Sequence, residues 1–166
     1  YDFKTIEFFD GNGWRQVDNT TRSGRGVFAG GTVNTPSPGE TGRIDYINIM
    51  TLGNSISFGD LTGTNRRQST GCSSSTRGLF MGGQGPGPNI SDIDYITIAS
   101  EGNSQDFGNL QAAKQTAGGL SSSTRGISYG HGDTASNQID YVEIATTGNA
   151  LDFGDCKTAR RDCGTF

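Results

Sequence analysis

Ser122-Ser-Thr-Arg-Gly-Ile-Ser-Tyr-Gly-His-Gly132, followed by Gln138-Ile-Asp-Tyr-Val-Glu-Ile-Ala-Thr-Thr-Gly-Asn-Ala-Leu-Asp-Phe-Gly-Asp155, decides the fold, because the unit occurs three times. An earlier copy reads Ser74-Ser-Thr-Arg-Gly-Leu-Phe-Met-Gly-Gly83 and then Asp92-Ile-Asp-Tyr-Ile-Thr-Ile-Ala-Ser-Glu-Gly-Asn-Ser-Gln-Asp-Phe-Gly-Asn109. The first reads Ser23-Gly-Arg-Gly-Val-Phe-Ala-Gly-Gly31 and then Arg43-Ile-Asp-Tyr-Ile-Asn-Ile-Met-Thr-Leu-Gly-Asn-Ser-Ile-Ser-Phe-Gly-Asp60. Ile44, Ile93 and Ile139 lie 49 and 46 residues apart, a period that marks a repeat architecture.

Composition agrees with short strands and tight turns. The 166 residues include 27 glycines and only 31% apolar residues, and the net charge of -4 is too small for a charge-expanded disordered chain. Four short strands are predicted per copy. Strand A falls near 66–72, 114–120 and 160–166, and strand B at Gly26–Ala29, Gly78–Met81 and Gly126–Tyr129. Strand C falls at Ile44–Met50, Ile93–Ala99 and Ile139–Ala145, where apolar and polar residues alternate as on a half-buried sheet. Strand D lies near Ile56–Leu61, Gln105–Leu110 and Leu151–Cys156, after a Gly-Asn turn at 53–54, 102–103 or 148–149. Residues 1–19 form a separate connector, in which two β-prone runs flank Asp10-Gly-Asn-Gly13 as in a hairpin. Residues 20–166 form the three-repeat domain.

The ends are unequal. Trp14 and Arg25 are 11 residues apart where Phe58 and Arg77 are 19 apart, so the first copy lacks its own strand A. Residues 160–166 supply a strand A with no strand B after it. The C-terminal strand is therefore expected to complete the first sheet, in its own chain or a neighbour, since closure removes open edges.

A β-run ending in Gly30-Gly31 or Gly82-Gly83, followed by Tyr46 or Tyr95, resembles the kelch repeat of β-propellers, although the third copy has Gly130-His-Gly132 and the tryptophan after the tyrosine is missing. The fuller pattern over 20–166 resembles repeats in virion structural proteins of marine tailed phages. Phe8-Phe-Asp-Gly-Asn-Gly-Trp14 is similar to hairpins of phage tail-fibre chains. These resemblances imply an all-β body of about three four-stranded, kelch-like antiparallel blades, propeller or prism-like, behind an N-terminal β-hairpin. They imply a non-enzymatic tail-fibre or surface-appendage protein of the virion, homotrimeric through the hairpin, with other virion proteins and host-surface glycans as partners. An extracellular carbohydrate-binding or carbohydrate-active propeller, secreted rather than virion-borne, is one alternative. A purely structural filament or decoration protein is another.

Residues shared by all copies serve what every copy needs. Arg25, Arg77 and Arg125 are expected to pair with Asp45, Asp94 and Asp140, bridging strands B and C or adjacent repeats. Tyr46, Tyr95 and Tyr141 read as packing between repeats, and Phe58, Phe107 and Phe153 as core. Binding is expected where the copies differ, in the B–C connections Thr32-Val-Asn-Thr-Pro-Ser-Pro-Gly-Glu-Thr-Gly42, Gln84-Gly-Pro-Gly-Pro-Asn-Ile-Ser91 and Asp133-Thr-Ala-Ser-Asn137. Candidates there are Asn34, Thr35, Pro36, Glu40, Gln84, Asn89, Asp133 and Asn137. Unrestrained surface loops drift in the same way.

No catalytic constellation, metal set or cofactor motif is legible. His131 is the single histidine, and the spacing of Cys72, Cys156 and Cys163 fits no zinc pattern. Cys156 takes the place of Leu61 and Leu110, and Cys72 that of Leu120, as small buried apolar residues would; a Cys156–Cys163 disulfide is the oxidising alternative. Arg66-Arg67 and Arg160-Arg161 are isolated basic pairs, too few for a nucleic-acid surface. No apolar run is long enough to insert in a membrane. The sequons at Asn19 and Asn89 are of a kind that a chain rich in Asn, Ser and Thr contains by chance. The sequence opens on Tyr1, as a processed or truncated chain would.

Overall fold

A computed structural model describes residues 7–9, 14–16, 24–34, 39–115, 117–131 and 134–161. Among these residues the chain is all-β, with fifteen strands and no helix. β1 (Glu7–Phe9) and β2 (Trp14–Gln16) pair antiparallel with Phe9 opposite Trp14, as the hairpin reading required. The turn at 10–13 lies outside the described residues.

Three sheets follow, one per copy. The first joins β3 (Arg25–Ala29) to the later strands β6 (Arg43–Asn48) and β7 (Ile56–Asp60). Between β3 and β6 the chain makes a small ribbon from β4 (Thr32–Val33) and β5 (Gly39–Glu40). The second sheet holds β8 (Thr70–Ser73), β9 (Arg77–Gln84), β10 (Asn89–Thr97) and β11 (Gln105–Asn109). The third holds β12 (Gly118–Ser121), β13 (Arg125–Tyr129), β14 (Ser136–Glu143) and β15 (Leu151–Arg160). All neighbours are antiparallel and in chain order, so each full sheet is a meander A-B-C-D. The C–D register slips at Ile44/Asp45, at Ile93/Asp94 and at Ile139/Asp140, one irregularity placed identically in each copy.

The first sheet has three strands, as the missing strand A required. The C-terminal end differs from expectation. β15 is continuous from Leu151 to Arg160, but its register slips between Gln138 and Ser136: Asp155 lies opposite Gln138 and Arg160 opposite Ser136, so residues 156–159 bulge opposite Asn137 alone. Residues 162–166, which hold most of the expected last strand A, lie outside the described residues. Among the described residues no strand pairs with the outer edge of β3, and none joins the first sheet to the third.

Alternation along the strands sends side chains to opposite faces, so each inner sheet contributes to two cores. Ile44, Phe58 and Leu61 of the first copy pack against Phe80 and Ile96 of the second. On the other side of the second sheet, Leu79, Met81, Ile93, Phe107 and Leu110 pack against Val142, Ile144 and Ala150 of the third. Burying such a side chain contributes about 1.5–3 kcal/mol. The hydrophobic minority is thus concentrated between sheets.

Backbone contacts fix the spacing. Gly102 N donates to Phe58 O at 2.8 Å and Ser104 N to Asp60 O at 2.9 Å, while Asp60 N donates to Asn103 Oδ1 at 3.0 Å. The next joint repeats this: Gly148 N to Phe107 O at 2.7 Å, Ala150 N to Asn109 O at 2.8 Å, and Asn109 N to Asn149 Oδ1 at 3.0 Å. Each Gly-Asn turn therefore clasps the Phe-Gly-Asp/Asn strand of the copy before it. The approach is close enough that a Cβ on Gly59 would lie 2.3 Å from Gly102 O, and one on Gly108 2.4 Å from Gly148 O.

Gly59→Ala or Gly108→Ala is expected to cost about 2 kcal/mol or more by forcing two backbones apart. Gly39→Ala, which meets nothing within 4 Å, is expected to stay within about 0.5 kcal/mol. Urea unfolding of the three variants checks the difference.

Candidate functional site

The divergent B–C connections are carried on the Gly-Gly end of strand B, and the structure shows why that end is fixed. Gly31 N donates to Arg66 O at 2.9 Å and Gly83 N to Lys114 O at 2.7 Å, so the connector leaving each sheet recrosses it here. A Cβ on Gly30, which has φ of 72°, would lie 2.3 Å from Arg66 O. The loops therefore spring from a braced rim.

On that rim the first two connections meet at Arg67. Its Nη1 lies 3.3 Å from Glu40 Oε1, and its Nε and Nη2 donate to Gln84 Oε1 at 3.1 and 2.6 Å. Arg67 and Gln84 also exchange backbone hydrogen bonds, at 2.9 and 2.8 Å. Of the expected binding residues, Glu40 and Gln84 are thus brought together through a cation that sequence reading treated as an isolated basic residue. Asn34 is exposed, Asn89 is half-buried in β10, and Asn137 is exposed on β14. Thr35, Pro36 and Asp133 lie outside the described residues. His131 is half-buried beside this rim, its Nε2 3.2 Å from Ala113 O.

The expected Arg–Asp pairs are not formed; both sets of residues bind elsewhere. Arg25, Arg77 and Arg125 lie over the rings of Tyr46, Tyr95 and Tyr141 at 4.5, 4.6 and 5.0 Å, a cation–π contact within each sheet. Each tyrosine meets its sheet's phenylalanine edge-on at about 6 Å: Tyr46 with Phe58, Tyr95 with Phe107, Tyr141 with Phe153. From that perch Arg25 Nη1 donates to Ile98 O of the next sheet at 2.8 Å, and Arg77 Nη1 to Ile144 O and Ala145 O at 3.0 and 2.9 Å. Arg125 turns back to Glu143 at 2.7 Å.

The aspartates take cations from the preceding connector instead. Arg66 Nη2 lies 2.6 Å from Asp94 Oδ2, and Lys114 Nζ 2.7 Å from Asp140 Oδ2, all four side chains being buried. Arg66 Nη2 also donates to Phe80 O at 3.1 Å, and Gln138 Nε2 to Asp140 Oδ1 at 2.9 Å. Burial pushes the Asp94 carboxyl above its usual range, against the pull of Arg66. The signal for these cations was present in sequence: Arg66, Lys114 and Arg160 stand five, four and four residues after Leu61, Leu110 and Cys156. Asp45 has no hydrogen-bond or ion-pair partner among the described residues.

Cys72 and Cys156 carry free thiols, and Cys163 lies outside the described residues. Cys72 packs against the second core, where burial pushes its thiol up to about 12. Among the described residues no three or more His, Cys, Asp or Glu side chains gather as a metal set. A scan against protein-family models gives no match, and a search of curated proteins gives none either.

Arg66→Met is expected to cost about 3–5 kcal/mol at neutral pH, because it leaves the Asp94 carboxylate buried without its counter-charge. Without the cation only the upward push on Asp94 remains, so its folded pKa exceeds the unfolded value of about 3.9. Folding then takes up a proton, and the loss shrinks as pH falls through the folded pKa toward the unfolded one. Urea midpoints of variant and parent at pH 7 and pH 5 check the trend. The thiol of Cys72, protonated at ordinary pH, is expected to resist iodoacetamide in the folded protein and to react on unfolding; site-resolved mass spectrometry reads this out.

Proposed function

We propose that the chain is a non-enzymatic virion component, part of a tail fibre or related surface appendage. In this reading the sheets are kelch-like blades of a propeller or prism-like body, and the B–C loops contact host-surface glycans or neighbouring virion proteins. What carries the reading is the contrast between braced joints and divergent loops. Clasp, buried ion pair and Arg–Tyr perch recur from copy to copy, while the first two of the connections that differ meet at Arg67, Glu40 and Gln84. A loop-borne surface on a rigid scaffold suits recognition of varied partners. Fold alone would not indicate a function; the virion assignment rests on the resemblance of the repeats and of the N-terminal hairpin to phage chains.

The test is binding of the labelled chain to a glycan array and to intact bacterial cells. Binding is expected, and Arg67→Ala, which unties the two loops, is expected to weaken it roughly tenfold with little change in fold. Binding unaffected by Arg67→Ala, Glu40→Ala and Gln84→Ala would remove the rim from the account. No binding to glycans or cells would favour a purely structural filament.

A further inference from the structure

We propose that separate copies of this chain join head to tail, the outer face of the first sheet receiving the outer face of the third through the same contact that joins successive sheets within the chain. This interface is independent of the functional reading above. It rests on the fact that every component of the joint is present in half at each end.

The apolar part shows it most plainly. Phe80 is 8% exposed because it packs on the sheet before it, while its counterpart Phe28 is 58% exposed; Ile144 is 1% exposed and its counterpart Ile49 64%. At the other end, Phe58 and Phe107 are 3% and 2% exposed under the following sheet, and Phe153 is 50% exposed. Phe28 and Ile49 thus lack a preceding sheet, and Phe153 lacks a following one. Exposed apolar faces of this kind mark association surfaces.

The polar parts match in the same sense. Asp45 stands where Asp94 and Asp140 receive Arg66 and Lys114, and it borders an open cleft of about 510 Å³ together with Phe28 and Arg43. Arg160 is exposed on the third sheet and has no hydrogen-bond or ion-pair partner among the described residues. It sits in the correct place: it lies opposite Ser136, as Lys114 N bonds the corresponding Ile90 O at 3.2 Å. The clasp is likewise split. A Cβ on Gly154 would meet nothing within 4 Å, whereas those on its counterparts Gly59 and Gly108 would collide with the next turn. Gly102 and Gly148 donate across their joints, and among the described residues no such bond leaves Gly53, so Gly53-Asn54 is a turn without a strand to clasp and Phe153-Gly-Asp155 a strand without a turn. Arg125, which has no further sheet, folds back on Glu143.

A contact between two different faces is heterologous, and copies joined by it either close into a ring or extend as a filament. Asp45→Arg blocks only the head and Arg160→Asp only the tail. Each variant alone is expected to associate roughly thirtyfold or more weakly than the parent, as for a broken interfacial charge pair. The double variant, with the charges exchanged, is expected to recover association. Mixing Phe28→Glu, whose tail is intact, with Arg160→Asp, whose head is intact, leaves one usable contact, so the expected product is a capped one-to-one dimer, read by native mass spectrometry and sedimentation. Circular dichroism confirms that each variant is folded, and Phe28→Glu provides a second head block without touching the ion pair. A parent chain that stays monomeric up to roughly 100 µM overturns the proposal. So does association that survives either charge reversal made alone, or a mixture of Phe28→Glu and Arg160→Asp that forms no mixed dimer. Association lost on deleting residues 1–18 but retained in Asp45→Arg would overturn it in favour of assembly through the hairpin.

Discussion

The buried cation that reaches from one connector into the next sheet is the constraint on which the rest depends. A guanidinium or ammonium placed out of water is tolerated only beside a counter-charge, so Arg66 and Asp94, or Lys114 and Asp140, fix how two sheets face each other. Apolar packing alone would let the sheets slide. Close geometry then follows: the Gly-Asn turn bonds across to the preceding strand D, and glycines remain where two backbones nearly touch. A chain with only 31% apolar residues is held in this way by joints rather than by one large core.

Such a molecule is close to one-dimensional. Among the described residues each main sheet packs on its neighbour in the chain, and stability is a sum of sheet and joint terms, as in repeat arrays. Neither outer face of the three-sheet array has a described neighbour, and those faces are complementary because the repeats are alike. In the proposed reading, recognition and assembly fall on separate surfaces: the variable loops on the Gly-Gly rim, and the invariant joint on the sheet faces.

Much of this was legible in sequence. The 49- and 46-residue spacing gave one main sheet per copy, and the B, C and D strands fall where the repeat placed them. Asn89–Thr97 and Ser136–Glu143 nevertheless start four and three residues earlier than expected, and Arg77–Gln84 and Leu151–Arg160 end three and four residues later. Counting between Trp14 and Arg25 revealed the missing strand of the first sheet. Pairing was the weak point. Arg25, Arg77 and Arg125 were matched with Asp45, Asp94 and Asp140 because all six recur, but recurrence cannot tell contact within a copy from contact between copies. Asp94 and Asp140 bind cations from the connector before their sheet, and Arg25 and Arg77 bind carbonyls one copy later. The run 157–160 was read by analogy with inner repeats, whose connectors turn after a leucine buried in the joint. Cys156 has no following sheet to enter, and β15 reaches Arg160 through a bulge rather than a break.

Native-state hydrogen exchange at the amides of the Gly-Asn turns tests the joint most directly. The amides of Gly102, Ser104, Gly148 and Ala150 lie outside the strands but donate across the joints, so they are predicted to be protected as strongly as the central strands β9 and β10. The corresponding amides of Gly53 and Ser55, which have no preceding sheet, are predicted to exchange rapidly in dilute solution. Rapid exchange at Gly102, Ser104, Gly148 and Ala150 would contradict the account, because it would mean that the sheets are not locked to one another.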